Sequence, residues 1–251
     1  MTFDALKPDF DRNGYAVVRN FLSKADFDEL SANLDRYIRE IVPTLPDSAA
    51  FFHVKGKPET LKQMQHMQGD PYFRDYYHHP RWKALAEGLL GEEAICQSTE
   101  WFNKPANTEH PTPPHQDNYY FNLSPPSVLT IWMALEPIDE ENGCLRYVAG
   151  SHVHGRRPHA RSNVLGFSQG ITDFGPEDQA REVAMCLNPG DAIVHHGWTI
   201  HRAEPNRSTT RSRKSFAMVF YGVSAKLDVE GFNRYQEDVK KQHQQMGLQT
   251  A

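Results

Sequence analysis

From Ala94 onward the chain is cut into short apolar runs separated by Gly, Pro and Asn turns. The runs are Ala94 to Lys104, Val128 to Leu135, Arg146 to Val148, Glu182 to Leu187, Asp191 to His196 and Lys214 to Gly222. Runs this short are strands rather than helices, and strands at this spacing close into a sandwich or barrel. The jelly roll is the natural closed form.

The chain before Gly91 has a different texture. Ala5 to Arg12 reads as a short helix, Asn13-Gly14 as a turn, and Tyr15 to Val18 as a buried strand. Ser23 is an N-cap with Asp26 three residues on, and Phe27, Leu30, Leu34, Ile38 and Ile41 recur at helical spacing. The expectation is an amphipathic helix from Lys24 to about Ile41, ended by Pro43 and Pro46. Phe51 to Val54 is a candidate strand, and Glu59 to Met67 is expected to be helical. The Met64-Gln65-His66-Met67 cluster either lines a pocket or packs into the core. Asp70-Pro71 opens a further helical region that stops at Gly91. Helices first and strands after give an α+β class with the N-terminal helices packed on one sheet. No linker, repeat or low-complexity stretch divides 1–251. The expectation is one domain: a helical part over about 1–91, a jelly-roll core over about 92–224 and a helical tail over about 229–247.

Composition narrows the function classes. A net charge of -5 with 24% charged residues points to neither nucleic acid nor a membrane surface as partner. No window approaches the roughly 20 apolar residues of a membrane span. Residues 1–13 lack a signal-peptide pattern. Three isolated cysteines fit a cytoplasmic location better than a disulfide framework.

His115-Gln116-Asp117 sets an imidazole and a carboxylate two residues apart, and in a strand or its extension i and i+2 point the same way. One more histidine would complete the two-His, one-carboxylate face of non-haem iron oxygenases. His152, His154, His159, His195, His196 and His201 are available. Pro189-Gly190-Asp191 turns into an apolar strand, His201 lies beyond its far end, and Arg213 opens the next strand. His195 and His196 either supply a group behind the ligands or contact core and solvent.

The ordered set resembles a known family. Its members are His115-Gln116-Asp117, Trp132 to Leu135, Glu141 to Leu145, Gly150-Ser151-His152, Pro189-Gly190-Asp191, and His201 followed by Pro205-Asn206 and Arg213. Together they look like the phytanoyl-CoA dioxygenase (PhyH) family, from about Gly14 to Tyr221. The resemblance implies a double-stranded β-helix, a cupin-like jelly roll. It implies Fe(II) held by His115, Asp117 and His201, 2-oxoglutarate as cosubstrate, and O2. The implied reaction hydroxylates a small or medium-sized metabolite, an anionic one being an option, with release of succinate and CO2. Related halogenases carry a small residue where Asp117 stands, which favours hydroxylation here. Arg213 is the expected anchor for the far carboxylate of 2-oxoglutarate, through two parallel hydrogen bonds, with Arg211 as the alternative. Trp132 lies near the cosubstrate or in the core. Gln97 and Asn103 either hydrogen-bond 2-oxoglutarate or are structural. Tyr119, Tyr120 and Phe121 line the pocket or pack in the core. Arg156 and Arg157, in the basic stretch 152–161, form an anion clamp over the mouth or a solvated loop. Two rivals remain: a cupin-like isomerase or hydrolase that does not use 2-oxoglutarate, and a non-catalytic metal-binding relative. The expected oligomeric state is a monomer or homodimer.

Overall fold

The structure is a computed structural model and describes residues 3–46, 49–54, 57–164 and 167–245. In chain order the elements are α1 (Lys7–Asn13), β1 (Tyr15–Val18), α2 (Lys24–Glu40), β2 (Ala50–Phe52), β3 (Leu61–Gln65), α3 (Pro71–Tyr76), α4 (Pro80–Leu90), β4 (Ala94–Lys104), β5 (Thr112–His115), α5 (Asn118–Phe121), β6 (Val128–Ala134), β7 (Leu145–Val148), β8 (His159–Val164), β9 (Phe167–Ile171), α6 (Pro176–Ala180), β10 (Glu182–Ala184), β11 (Ala192–His196), β12 (His201–Ala203), β13 (Arg213–Gly222) and α7 (Val229–Gln245). Positions 246 and 247 of the expected tail lie outside the described residues.

The strands form a seven-stranded sheet, β1-β11-β6-β13-β4-β3-β2, and a four-stranded sheet, β10-β7-β12-β5. Every strand pairing among the described residues is antiparallel, and β8 and β9 make a separate two-stranded ribbon. The fold is the expected cupin-like jelly-roll class, built as two sheets rather than a closed barrel.

The large sheet is buried on both faces, so its central strands lack a polar side. All seven residues of β6 are buried. Alternation sorts them: Leu129, Ile131 and Met133 join the helix-side core, while Trp132 and Ala134 join a second core between the sheets. On β13, Phe216, Met218 and Phe220 face the helices, and Ala217 faces inward.

The helices cover the first face with Leu30, Leu34 and Tyr37 of α2, Phe73 and Tyr76 of α3, and Trp82, Leu85 and Leu89 of α4. The cap on α2 is as expected, with Ser23 Oγ accepting from Asp26 N at 3.1 Å. Gly91, at φ 76°, ends α4 in the left-handed conformation that suits glycine. Arg36 binds Asp70 through two hydrogen bonds of 2.9 and 2.7 Å, which ties α2 to the start of α3. Trp82 sits edge-on to Phe21 and Phe216, at 4.9 and 5.6 Å between ring centroids. A Trp82→Ala protein should therefore lose about 3–5 kcal/mol of stability, read by denaturant unfolding.

One expectation fails in the N-terminal part. Glu59 to Met67 is not a helix; Leu61–Gln65 is a strand that pairs with both β2 and β4. Leu61 and Met64 mimic a helical repeat, but the edge of a long strand offers hydrogen bonds that a short Gln-rich segment cannot match alone. Met64 and Met67 lie in the core. The part before Gly91 thus supplies three strands of the large sheet besides its helices.

Candidate metal centre

His115 ends β5 and His201 begins β12, and the two are register partners in the small sheet. Asp117 comes from the turn after β5, with helical backbone angles (φ −59°, ψ −39°). Strand parity therefore does not bring the pair together; the chain turns at Gln116 and folds the carboxylate back. Gln116 is fully buried and holds that turn. Its amide donates to the carbonyls of Gly155 and Trp198, both at 2.8 Å, and accepts from Arg157 N at 2.8 Å. Gly197 sits against Asn118, just past Asp117, where an added Cβ would lie 3.0 Å from Asn118 Cβ and 2.5 Å from Val128 Cγ1.

Ligand atoms of the three residues lie within 4.8 Å of one another. Nε2 of His115 and Nε2 of His201 are 3.6 and 3.5 Å from Asp117 Oδ1. Each ring places Nδ1 on a backbone carbonyl two residues back: Pro113 O at 2.8 Å for His115 and Thr199 O at 3.0 Å for His201. A proton on Nδ1 leaves the Nε2 lone pair for a metal. Burial lowers the pKa of both imidazoles and keeps them neutral. Burial opposes ionisation of Asp117, but His201, His195 and His115 around it hold the carboxyl far below its usual range.

The other carboxylate oxygen is also held. Asp117 Oδ2 accepts from Thr130 Oγ1 at 2.7 Å and from His195 Nε2 at 3.0 Å. His195 Nδ1 then accepts from the Tyr147 hydroxyl at 2.9 Å. Of the two strand-end histidines, His195 is thus the one behind the ligands; His196 accepts from Trp198 N. Groups that orient metal ligands typically change affinity 10–100-fold. Thr130→Val should weaken metal binding by about that factor in a direct titration.

A cavity of about 200 Å³ opens from the three ligands. Arg213 lines it, 4% exposed, and its Nε has no hydrogen-bond partner among the described residues. Its guanidinium lies 5.4 Å from the centroid of Trp132, which lines the same cavity. Burial lowers its pKa to about 10, so it stays charged at neutral pH. Arg211 is elsewhere, paired with Asp139 and Glu141 at the surface.

Other expected site residues sort by strand parity. Asn103 donates to Leu61 O at 3.0 Å and faces a cleft on the helix side of the sheet. Gln97 is exposed and bonds to Ile95 O. Neither reaches the cavity; Glu100 and Phe102 do, with Gln63 and Gln65 from β3. Tyr120 lines the cavity and donates to Gln169 O at 2.8 Å, whereas Tyr119 stacks on His159 at 3.9 Å. Arg156 lies over Tyr119 at 4.4 Å. Arg157 pairs with Asp173 and Asp178 at 3.0 and 3.2 Å. Asn142 and Asn206 bind backbone carbonyls and shape loops. Glu100 could have been flagged from the sequence as the lone carboxylate of its strand. Tyr235, which reaches the cavity from α7, had no local signal.

Two imidazoles and one carboxylate on one face, with a cavity before them, define a cupin-like non-haem iron centre. Comparison with known proteins agrees. The phytanoyl-CoA dioxygenase (PhyH) family profile matches residues 10–215, so the chain belongs to that family. It is 29% identical over 248 residues to the peroxisomal phytanoyl-CoA dioxygenase of Bos taurus, covering 93% of this chain and 72% of that one. It is 26% identical over 253 residues to the Arabidopsis thaliana phytanoyl-CoA dioxygenase, covering 85% and 88%. Among solved structures, the epimerase SnoN in complex with Fe3+, alpha ketoglutarate and nogalamycin RO superposes with a TM-score of 0.71 at 25% identity, over 89% of this chain and 85% of that one. The protein is an iron- and 2-oxoglutarate-dependent oxygenase acting on a small molecule. No helix among the described residues is long and apolar enough to cross a membrane.

Proposed function

We propose that the enzyme hydroxylates its substrate, with His115, Asp117 and His201 holding Fe(II) and Arg213 binding the far carboxylate of 2-oxoglutarate. The observation that carries this is a buried, charged guanidinium with an unpartnered Nε in the same cavity as the ligands. A donor set of neutral imidazoles and one ionised carboxylate suits Fe(II). When bound, iron and 2-oxoglutarate supply the oxidising chemistry, with O2 consumed and succinate and CO2 released. The chain's own part is positional. Trp132 and Phe102 wall the cavity beside Arg213, the Asp117 contacts keep the ligand face rigid, and Tyr120 and Tyr235 narrow the space before it.

Anaerobic addition of 2-oxoglutarate to the Fe(II) protein should give a metal-to-ligand charge-transfer band. No band and no 2-oxoglutarate binding would sink the reading. SnoN is an epimerase, so a second outcome of the same oxidising chemistry deserves separation. Hydroxylation puts one atom of 18O2 into the product, and an unlabelled epimer would favour the other outcome.

The sequence acts as one domain, supported by α2, α3 and α4 sharing a core with strands from both halves of the chain; two separate unfolding transitions would contradict it. All three cysteines are free, which supports a cytoplasmic location. Co-fractionation with peroxisomes would overturn that.

A further inference from the structure

Glu100 is the carboxylate that the metal centre does not use. It projects from β4 into the cavity, where its Oε1 accepts from Ser98 Oγ at 3.3 Å and its side chain meets that of Gln63. No Lys, Arg or His pairs with it among the described residues. Burial, and secondarily Asp117, raises its pKa to about 7. A carboxylate is expensive to keep in such a place without a partner.

The sheet register fixes where Glu100 stands. Gln65, Glu100, Ala217, Trp132 and Ile193 form one rung across five strands. Two strand spacings, about 10 Å, separate Glu100 from Trp132, with the small Ala217 between them. Thr130 and His195, which hold Asp117, occupy the neighbouring same-face rung. Trp132 and Arg213 mark the cosubstrate side, and Glu100, Gln63 and Gln65 mark the other. The space above Ala217 lies between the two.

Charge then selects the occupant. Fe(II), Asp117, the 2-oxoglutarate dianion and Arg213 cancel one another. Glu100 is left over as the further acidic side chain of the cavity lining. We infer that Glu100 is the specificity-determining residue of this cavity and that the substrate presents a cationic amine to it. This rests on the oxygenase reading above. An anionic group at that end would face Glu100 with no Lys or Arg beside it among the described lining residues, Arg213 standing on the other side. A purely apolar chain would leave the Glu100 carboxylate with only Ser98 and Gln63 against it.

The test uses three probes with one skeleton: benzylamine, benzyl alcohol and benzoate. Each is titrated anaerobically into the Fe(II)–2-oxoglutarate protein, and binding is read as a shift of the charge-transfer band. The amine should bind at least tenfold tighter than benzoate, with the alcohol between. Glu100→Gln, which keeps the shape and removes the charge, should cost the amine at least tenfold and collapse the order, while Glu100→Asp should retain it. Benzoate or benzyl alcohol binding as tightly as the amine would overturn the inference. So would an amine affinity unchanged in Glu100→Gln, or no binding of any probe to the wild type. If no band forms before a probe is added, the oxygenase reading itself has failed, and that result is visible separately.

Discussion

An Asp117→Ala protein is expected to fold normally and to lose iron binding and 2-oxoglutarate consumption together. Folding should survive because what Asp117 gives the scaffold is its backbone, whose carbonyl accepts from Tyr120 N at 2.9 Å. The chain's turn is held by Gln116, not by the carboxylate. Metal binding should fail for two reasons. One of three donors is gone, and so is the only negative charge among them. His195 and Thr130 also lose their shared acceptor, so only the Nδ1 bonds of His115 and His201 still orient the remaining face. Metal catalysis is worth several kcal/mol of barrier, so turnover should fall by about 10³-fold or more. Circular dichroism checks the fold, and Fe(II) titration with a succinate assay checks the site. Normal 2-oxoglutarate consumption by this variant would disprove the ligand assignment.

What could be read in the sequence was whatever local pattern or ordered spacing decides. β4 was expected from Ala94 to Lys104 and is found there, and α2 begins at its Ser23 cap. His201 stood out because a Pro-Gly-Asp turn, an apolar strand and an Arg-led strand surround it. Tertiary pairing decided the rest. β3 is a strand because β4 offers it an edge. Asn103 and Glu100 lie on one strand, and nothing in the strand alone says which face meets the iron; the helix-side core settles that in favour of Glu100. The basic stretch 152–161 was open between an anion clamp and a solvated loop, and its Arg157 pairs with Asp173 and Asp178, 16 and 21 residues away. His115 and Asp117 were paired correctly by an argument from strand parity that the observed turn at Gln116 replaces.

Arg213→Met should separate function from stability in opposite directions. For the cosubstrate, the substitution removes a charged fork that can make two parallel hydrogen bonds to a carboxylate. Hydrogen bonds to charged groups contribute about 1.5–3 kcal/mol each. Losing even about 3 kcal/mol in total means roughly a hundredfold higher 2-oxoglutarate Kd. Arg213→Lys should recover part of this, as a point charge without the fork. Arg211→Ala should leave the Kd unchanged, since its guanidinium is occupied by Asp139 and Glu141 on the surface. For the protein without cosubstrate the balance reverses. Arg213 is 4% exposed with an unpartnered Nε, and it stacks on Trp132 rather than meeting a carboxylate. Burying that charge costs stability that a methionine of similar length would not forfeit. Arg213→Met should therefore melt higher than wild type without 2-oxoglutarate, and with metal present in both, the wild type should gain far more than the variant when 2-oxoglutarate is added. Thermal unfolding of both proteins, with and without 2-oxoglutarate in the presence of Zn(II) as an inert metal, reads the two effects in one experiment. A variant that melts lower than wild type without ligand would show that Arg213 serves the fold. An unchanged 2-oxoglutarate Kd would show that the anchor lies elsewhere in the cavity.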